Sequence, residues 1–193
     1  MSAKLERLVE LVHDLAFRVG KFRLASGAES DFYVDVRMVA THPEGAALIG
    51  DLLLERIRNL SPTPVAIGGL ALGAVPVAMA VTARSEQAGQ PIAAFIARKE
   101  AKEHGTGRRI EGHLRDGDPI VIVDDTVTTG GSTLQSVDVV MEACPNCRVV
   151  GVFAVVDREE GGRDRILARG LPFDALVTRS DLFRHHERVT KSE

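Results

Sequence analysis

The chain of 193 residues sets 24 Lys and Arg against 27 Asp and Glu, so its formal charge of −3 gives no global attraction to nucleic acid and any anion binding must come from local clusters. With 45% hydrophobic and 26% charged residues it has the make-up of a globular protein, and no apolar run approaches the roughly 20 residues of a membrane span. The length suits one domain, 1–193, with a substantial core. The first residues alternate charge with apolar side chains and lack the uninterrupted core of a signal peptide, so cytoplasmic residence is expected.

Leu5, Leu8, Val9, Leu11, Val12 and Leu15 form the apolar stripe of a first helix, expected to run to about Val19 and to end at Gly20. In FRLASGAESDFYVDVR, residues 22–37, Ser26-Gly27 marks a turn and Phe32 to Val36 reads as a strand, a hairpin by its own pattern. His42-Pro43-Glu44 opens a helix that ends near Asn59. Val65 to Ile67 is a short buried strand; Gly68, Gly69 and Gly73 follow it, ahead of a helix from about Val75. Such glycines serve either close approach of a ligand or tight helix-strand packing. Ala93 to Ala97 is a third strand, running into ARKEAKEHGTGRRIEG. That stretch gathers Arg98, Lys99, Lys102, His104, Arg108 and Arg109, interrupted by Glu100 and Glu103; as a charge run alone it is a solvated loop.

Ile120 to Thr133, IVIVDDTVTTGGST, dominates the chain. Ile120 to Val123 is an unbroken apolar run, as in a parallel strand covered on both faces, and Leu134, Val137, Val140 and Met141 follow at helical spacing. The first turn of that helix offers unpaired backbone N–H groups and a positive dipole end to a phosphate. Asp124 and Asp125 precede it; they would repel a phosphate but accept hydrogen bonds from sugar hydroxyls, which points to a phosphorylated sugar. The stretch has neither the GxxxxGK[ST] lysine of a triphosphate loop nor the GxGxxG spacing of a dinucleotide fold.

Further on, Cys144-Pro-Asn-Cys147 lacks a second pair for zinc and follows a helix, so it reads as a loop. Val149 to Val156 is a strand leading to Asp157-Arg158-Glu159-Glu160-Gly161-Gly162. A helix near Ile166 to Arg169 and a strand from Ala175 to Val177 complete the pattern. The tail from Arg184, with His185 and His186, reads as a frayed end with no metal assigned. Five or so strands alternating with helices give an α/β fold, a central parallel sheet with ligand loops at the strands' carboxyl ends.

VIVDDTVTTGGST resembles the phosphoribosyl pyrophosphate (PRPP) signature of the type I phosphoribosyltransferases. The F-x-L-x-S-G-x-x-S opening from Phe22, the R-K-x-x-K-x-H-G spacing from Arg98 and the D-R-x-E-G-G from Asp157 resemble the orotate enzymes of that family. The resemblance implies the type I fold, its central parallel sheet flanked by helices, with a small N-terminal hood built by about residues 1–40 and part of the C-terminal region. The implied reaction is transfer of the 5-phosphoribosyl group from PRPP to orotate, giving orotidine 5′-monophosphate and pyrophosphate in pyrimidine synthesis.

The implied PRPP contacts fall in three groups. Gly69, Leu70, Ala71, Leu72 and Gly73 face the diphosphate. Asp124 and Asp125 hold the ribose hydroxyls, while Thr126, Val127, Thr128, Thr129, Gly130, Gly131 and Ser132 cradle the 5-phosphate. Arg98, Lys99, Lys102 and His104 bind PRPP and, with the two acids, form the catalytic set. Orotate is implied to contact Thr128, Arg158, Phe32 and Tyr33, Arg158 pairing with its carboxylate. Magnesium is expected, held mainly through PRPP and with no protein metal ligands assigned. The resemblance also implies a homodimer whose basic loop reaches the neighbour's site; neither nucleic acid nor membrane is an expected partner. Two positions depart from the family: Ala25 and Leu72 stand where many relatives carry lysine.

Overall fold

The structure is a computed structural model that describes residues 2–23, 29–100 and 109–191. Helix α1, Ala3–Ala16, starts at Ser2, whose hydroxyl accepts from the Leu5 N–H at 3.3 Å, and buries Leu8, Val9, Leu11 and Val12. It stops three residues before the expected end. Phe17–Arg23 is instead strand β1, paired antiparallel with β2, Glu29–Val34, in the register Phe17↔Val34 and Val19↔Phe32. Pairing overrides the helical stripe here because the Phe17 ring finds aromatic neighbours, Phe32 at 5.9 Å and Phe183 at 5.3 Å between centroids. The second strand of the hairpin also begins and ends earlier than expected, and residues 37–40 form the short helix α2, Arg37–Ala40.

The rest of the chain alternates. Helix α3 is Pro43–Ile57, β3 Ala66–Leu70, α4 Ala74–Gln87, β4 Ala93–Ala97 and β5 Ile110–Gly112. Then follow β6 Pro119–Val127, α5 Gly131–Ala143, β7 Arg148–Asp157, α6 Gly162–Ala168, β8 Phe173–Thr178 and α7 Arg179–Thr190. The sheet order is β5-β4-β3-β6-β7-β8, parallel throughout except for the antiparallel pairing of β5 on the β4 edge. That edge strand was not expected: three residues in a basic stretch carry no periodicity to read.

Side chains of β6 alternate between two cores. Val121 and Val123 pack with Ile49, Leu53, Val77 and Val81 from α3 and α4, whereas Ile120 and Ile122 pack with Leu134, Val137 and Val140 of α5 and Ile166 of α6. All five residues of β3 are buried. With helices on both faces, the open ends of the parallel strands are the place for ligand loops. Cys144 to Cys147 is the turn joining α5 to β7, closed by Cys147 N–H donating to the Cys144 carbonyl at 3.1 Å, and both thiols are free.

The tail is ordered as α7, which corrects the expectation of a frayed end. Thr178 and Asp181 form a reciprocal capping box: the Thr178 hydroxyl accepts from Asp181 N–H at 3.1 Å, and the Asp181 carboxylate accepts from Thr178 N–H at 3.0 Å. Leu182 is buried, and Phe183 sets its edge against Phe17 and Phe32. His186 lies against α1, its Nδ1 at 3.1 Å from Nε2 of His13.

Candidate active site

The carboxyl ends of β3, β4, β6 and β7 open onto one cleft of about 470 Å³, closed on the other side by residues 33–37 at the end of the hairpin. Leu70, Ala71, Leu72 and Gly73 line it from β3, Lys99 from β4, Asp124, Asp125, Thr126, Thr128, Thr129 and Ser132 from β6 and α5, and Arg158 from β7. Tyr33 lines the hairpin wall.

The two acids are not equivalent. Asp124 is 6% exposed; one carboxylate oxygen accepts from the Thr133 hydroxyl at 2.7 Å and the Ser132 hydroxyl at 3.1 Å, the other from Asp125 N–H at 3.1 Å. Burial pushes its carboxyl up to about 7, and the neighbouring Asp125 charge adds to the rise while the Thr133 and Ser132 hydroxyls pull it back. Asp125 is half-buried, accepts from Thr126 N–H at 2.8 Å and lies directly against Gly73, where a Cβ would come within 2.5 Å of its carboxylate. Gly73 thus brings the loop after β3 into contact with the acid after β6. Gly130, with φ +74°, caps α5 in the left-handed conformation that glycine adopts at little cost.

Arg158 is 4% exposed and held on three sides. Its Nε donates to Glu160 at 2.8 Å, its Nη2 donates to the Ser30 hydroxyl at 2.9 Å, and its guanidinium carbon sits 4.2 Å from the centre of the Phe32 ring. On the same wall the Asp35 carboxylate accepts from Arg37 Nε and Nη2, both at 2.8 Å, and Arg37 holds that carboxyl below its usual range chiefly through those hydrogen bonds.

Several expected contacts are placed differently. Phe32 is buried, so it reaches the cleft through Arg158 and not as an exposed ring; Tyr33 is the exposed one. Val127 packs its side chain into the core, and Gly69 lies inside β3 against the carbonyl of Val123. Gly130 and Gly131 shape the turn without lining the cleft. Arg98 donates to Glu111 of β5 at 2.9 Å, away from the cleft lining. Lys102 and His104 lie outside the described residues. Sequence reasoning missed Ser30, Glu160, Asp35 and Arg37; the first two are the closing serine of S-G-x-x-S and the glutamate of D-R-x-E-G-G.

Residues 35–168 match the phosphoribosyl transferase domain family. The chain is 43% identical to the orotate phosphoribosyltransferase of Sorangium cellulosum over 93% of each chain. Against that of Aquifex aeolicus it is 42% identical over 92% of this chain and 96% of the relative. The structure is also similar to that of Mycobacterium tuberculosis orotate phosphoribosyltransferase in complex with PRPP, with a TM-score of 0.77 and 37% identity over 93% of this chain and 98% of the other. A cleft combining an adjacent acid pair with a buried, well-held arginine, on a chain this similar to such relatives along nearly its full length, identifies it as a member of the phosphoribosyl transferase family and, within that family, of the orotate phosphoribosyltransferases.

Proposed function

We propose that the cleft transfers the 5-phosphoribosyl group of PRPP to orotate, with Arg158 as the residue that selects the base. The observation that carries the reading is Arg158 itself. A guanidinium 4% exposed is costly unless it is paired, and Glu160, Ser30 and Phe32 fix its plane while it still lines the cleft. A planar cation held that way matches a flat base bearing a carboxylate. Tyr33 and Thr128 line the same cleft and flank the ring.

The 5-phosphate lies at the start of α5, where Thr128, Thr129 and the backbone of the first turn supply donors. Asp125 accepts from ribose hydroxyls, and Asp124 braces it from below. The diphosphate faces Leu70 to Gly73 and Lys99. As the C1–O bond to diphosphate breaks and a C1–N bond forms with the orotate ring nitrogen, the anomeric carbon gains positive character, and the basic-loop residues Lys99, Lys102 and His104 stabilise the departing charge. The nucleophile is the base itself, so no covalent protein intermediate enters.

The carboxylate oxygens of Asp124 and Asp125 are hard donors that suit magnesium, which, carried mainly on PRPP, would neutralise the leaving group. The hairpin and α7 act as the hood over the base, on a single domain spanning 1–193. The working unit is a homodimer with shared sites in the cytoplasm; among the described residues no helix is long and apolar enough to cross a membrane.

Pyrophosphate release from PRPP and magnesium, measured with orotate, uracil, adenine and hypoxanthine in turn, tests the assignment. Release with orotate alone is expected. Release with uracil or a purine in preference to orotate would overturn it.

A further inference from the structure

The diphosphate of PRPP must enter a cleft already lined by Asp35, Asp124 and Asp125. Among the described residues lining it, the cations are Arg37, Lys99 and Arg158. Arg158 is turned to Glu160 and Ser30 beside Phe32. The loop from Leu70 to Gly73 brings backbone N–H groups but no charge: Leu72, 69% exposed at its tip, is neutral. Lys99 after β4 is therefore the cation of the diphosphate end among the described lining residues, unless the opposite wall supplies a second one.

We propose that Arg37 is that second cation, a PRPP-binding residue that pairs with the diphosphate across the cleft from Leu72. This rests on the PRPP reading of the cleft given above. Arg37 is the first residue of α2, and its side chain is 52% exposed, so packing does not account for its place. Asp35 takes one N–H from Nε and one from Nη2 in a two-point fork. A guanidinium has five N–H donors, so three remain, and their plane is fixed by the fork. Asp125 is near enough for its charge to act on Arg37, and Asp125 is the acid against which Gly73 packs. Arg37 and Gly73 therefore line the same cleft as Asp125, and the loop that carries Gly73 is the one assigned to the diphosphate. An exposed ion pair two residues apart contributes little to stability, which leaves the fork's value in aiming the guanidinium. Asp35 is then a positioning residue for Arg37.

Calorimetric titration of the intact protein with magnesium present, using PRPP, inorganic diphosphate and ribose 5-phosphate as separate probes, tests the proposal. Arg37→Ala should weaken PRPP and inorganic diphosphate by about ten- to a hundredfold, as for loss of a charged hydrogen-bonding partner, and leave ribose 5-phosphate affinity and the orotate KM unchanged. Arg37→Lys should recover part of the loss, because charge remains and the fork does not. Adding Leu72→Lys to Arg37→Ala should also restore diphosphate affinity, the new ammonium arriving from the facing loop. Undiminished diphosphate affinity in Arg37→Ala, or an equal loss for ribose 5-phosphate, would overturn the role of Arg37 alone. A parent protein that binds no PRPP would overturn the reading of the cleft and this proposal with it.

Discussion

Replacing Asp124 with asparagine should flatten the pH dependence of stability in the ligand-free protein. Burial lifts the Asp124 carboxyl from 3.8 to about 7 in the fold, whereas in the unfolded chain it returns to the ordinary carboxylate range. An acid with a raised folded pKa binds its proton more tightly when folded. Its stabilising contribution is therefore complete below about pH 4 and is lost as pH rises through about 7. A rise of about 3 pK units at roughly 1.4 kcal/mol each puts the full loss on the order of 4 kcal/mol. Asparagine cannot ionise. Its carbonyl oxygen can accept from the Thr133 and Ser132 hydroxyls as Asp124 does, while its amide meets the Asp125 N–H at a cost independent of pH. Subtracting the two stability curves removes that constant cost. Urea unfolding followed by circular dichroism, in steps from about pH 4 to about pH 8, should show Asp124→Asn gaining on the parent by on the order of 4 kcal/mol. Parallel curves would refute the claim that the buried carboxyl is driven up by desolvation.

Arg158→Ala should raise the apparent orotate constant by about 1.5 to 3 kcal/mol, roughly ten- to a hundredfold, with a much smaller effect on PRPP; an unchanged orotate constant removes Arg158 from the base site. Ser30→Ala takes one acceptor from Arg158 and should weaken orotate by about 1 kcal/mol in the same assay, whereas an effect confined to PRPP would contradict the hydrogen bond's role. For the shared-site dimer, Lys102→Ala and Asp125→Asn subunits, each inactive alone, should regain about a quarter of parental activity after exchange, because about half the dimers are mixed and each of these keeps one intact site. Demonstrated exchange without recovery would show that Lys102 serves its own chain.

The sheet was legible where burial makes long apolar runs. Ile120 to Val123 and Val149 to Val156 fall within β6 and β7, and Ala93 to Ala97 matches β4 end to end. Reading failed where tertiary contacts outweigh local pattern. The stripe that ends at Leu15 predicts a helix carried on to about Val19, yet pairing with β2 and the ring contacts of Phe17 turn the chain into a strand after Ala16. Helix α7 buries only Leu182 among its residues, so it has no stripe to find; its signal was the Thr178 and Asp181 pair that caps it. In the site, the motif residues of β6 and β7 were plain. The difference between Asp124 and Asp125 was not, because depth in the fold is a property of the helices packed around them. Ser30 and Glu160 stood in the quoted motifs, but their shared hold on Arg158 needs the hairpin to lie across β7, a contact spanning 128 positions of sequence.

Phe32 stands between two demands, carrying Arg158 over one side while Phe183 presses its edge with centroids 5.6 Å apart. Arg179, at the start of the same helix, lies 5.4 Å from the Phe32 ring and 4.7 Å from that of Phe183. The closing helix is therefore a buttress for the ring that carries Arg158, although no residue of it lines the main cleft. Shortening the chain after Thr178 would strip the ring of its outer support and let the cushion beneath the guanidinium tilt. Exchanging this helix among relatives would then shift the set of the Arg158 guanidinium while every cleft-lining residue stays as it is.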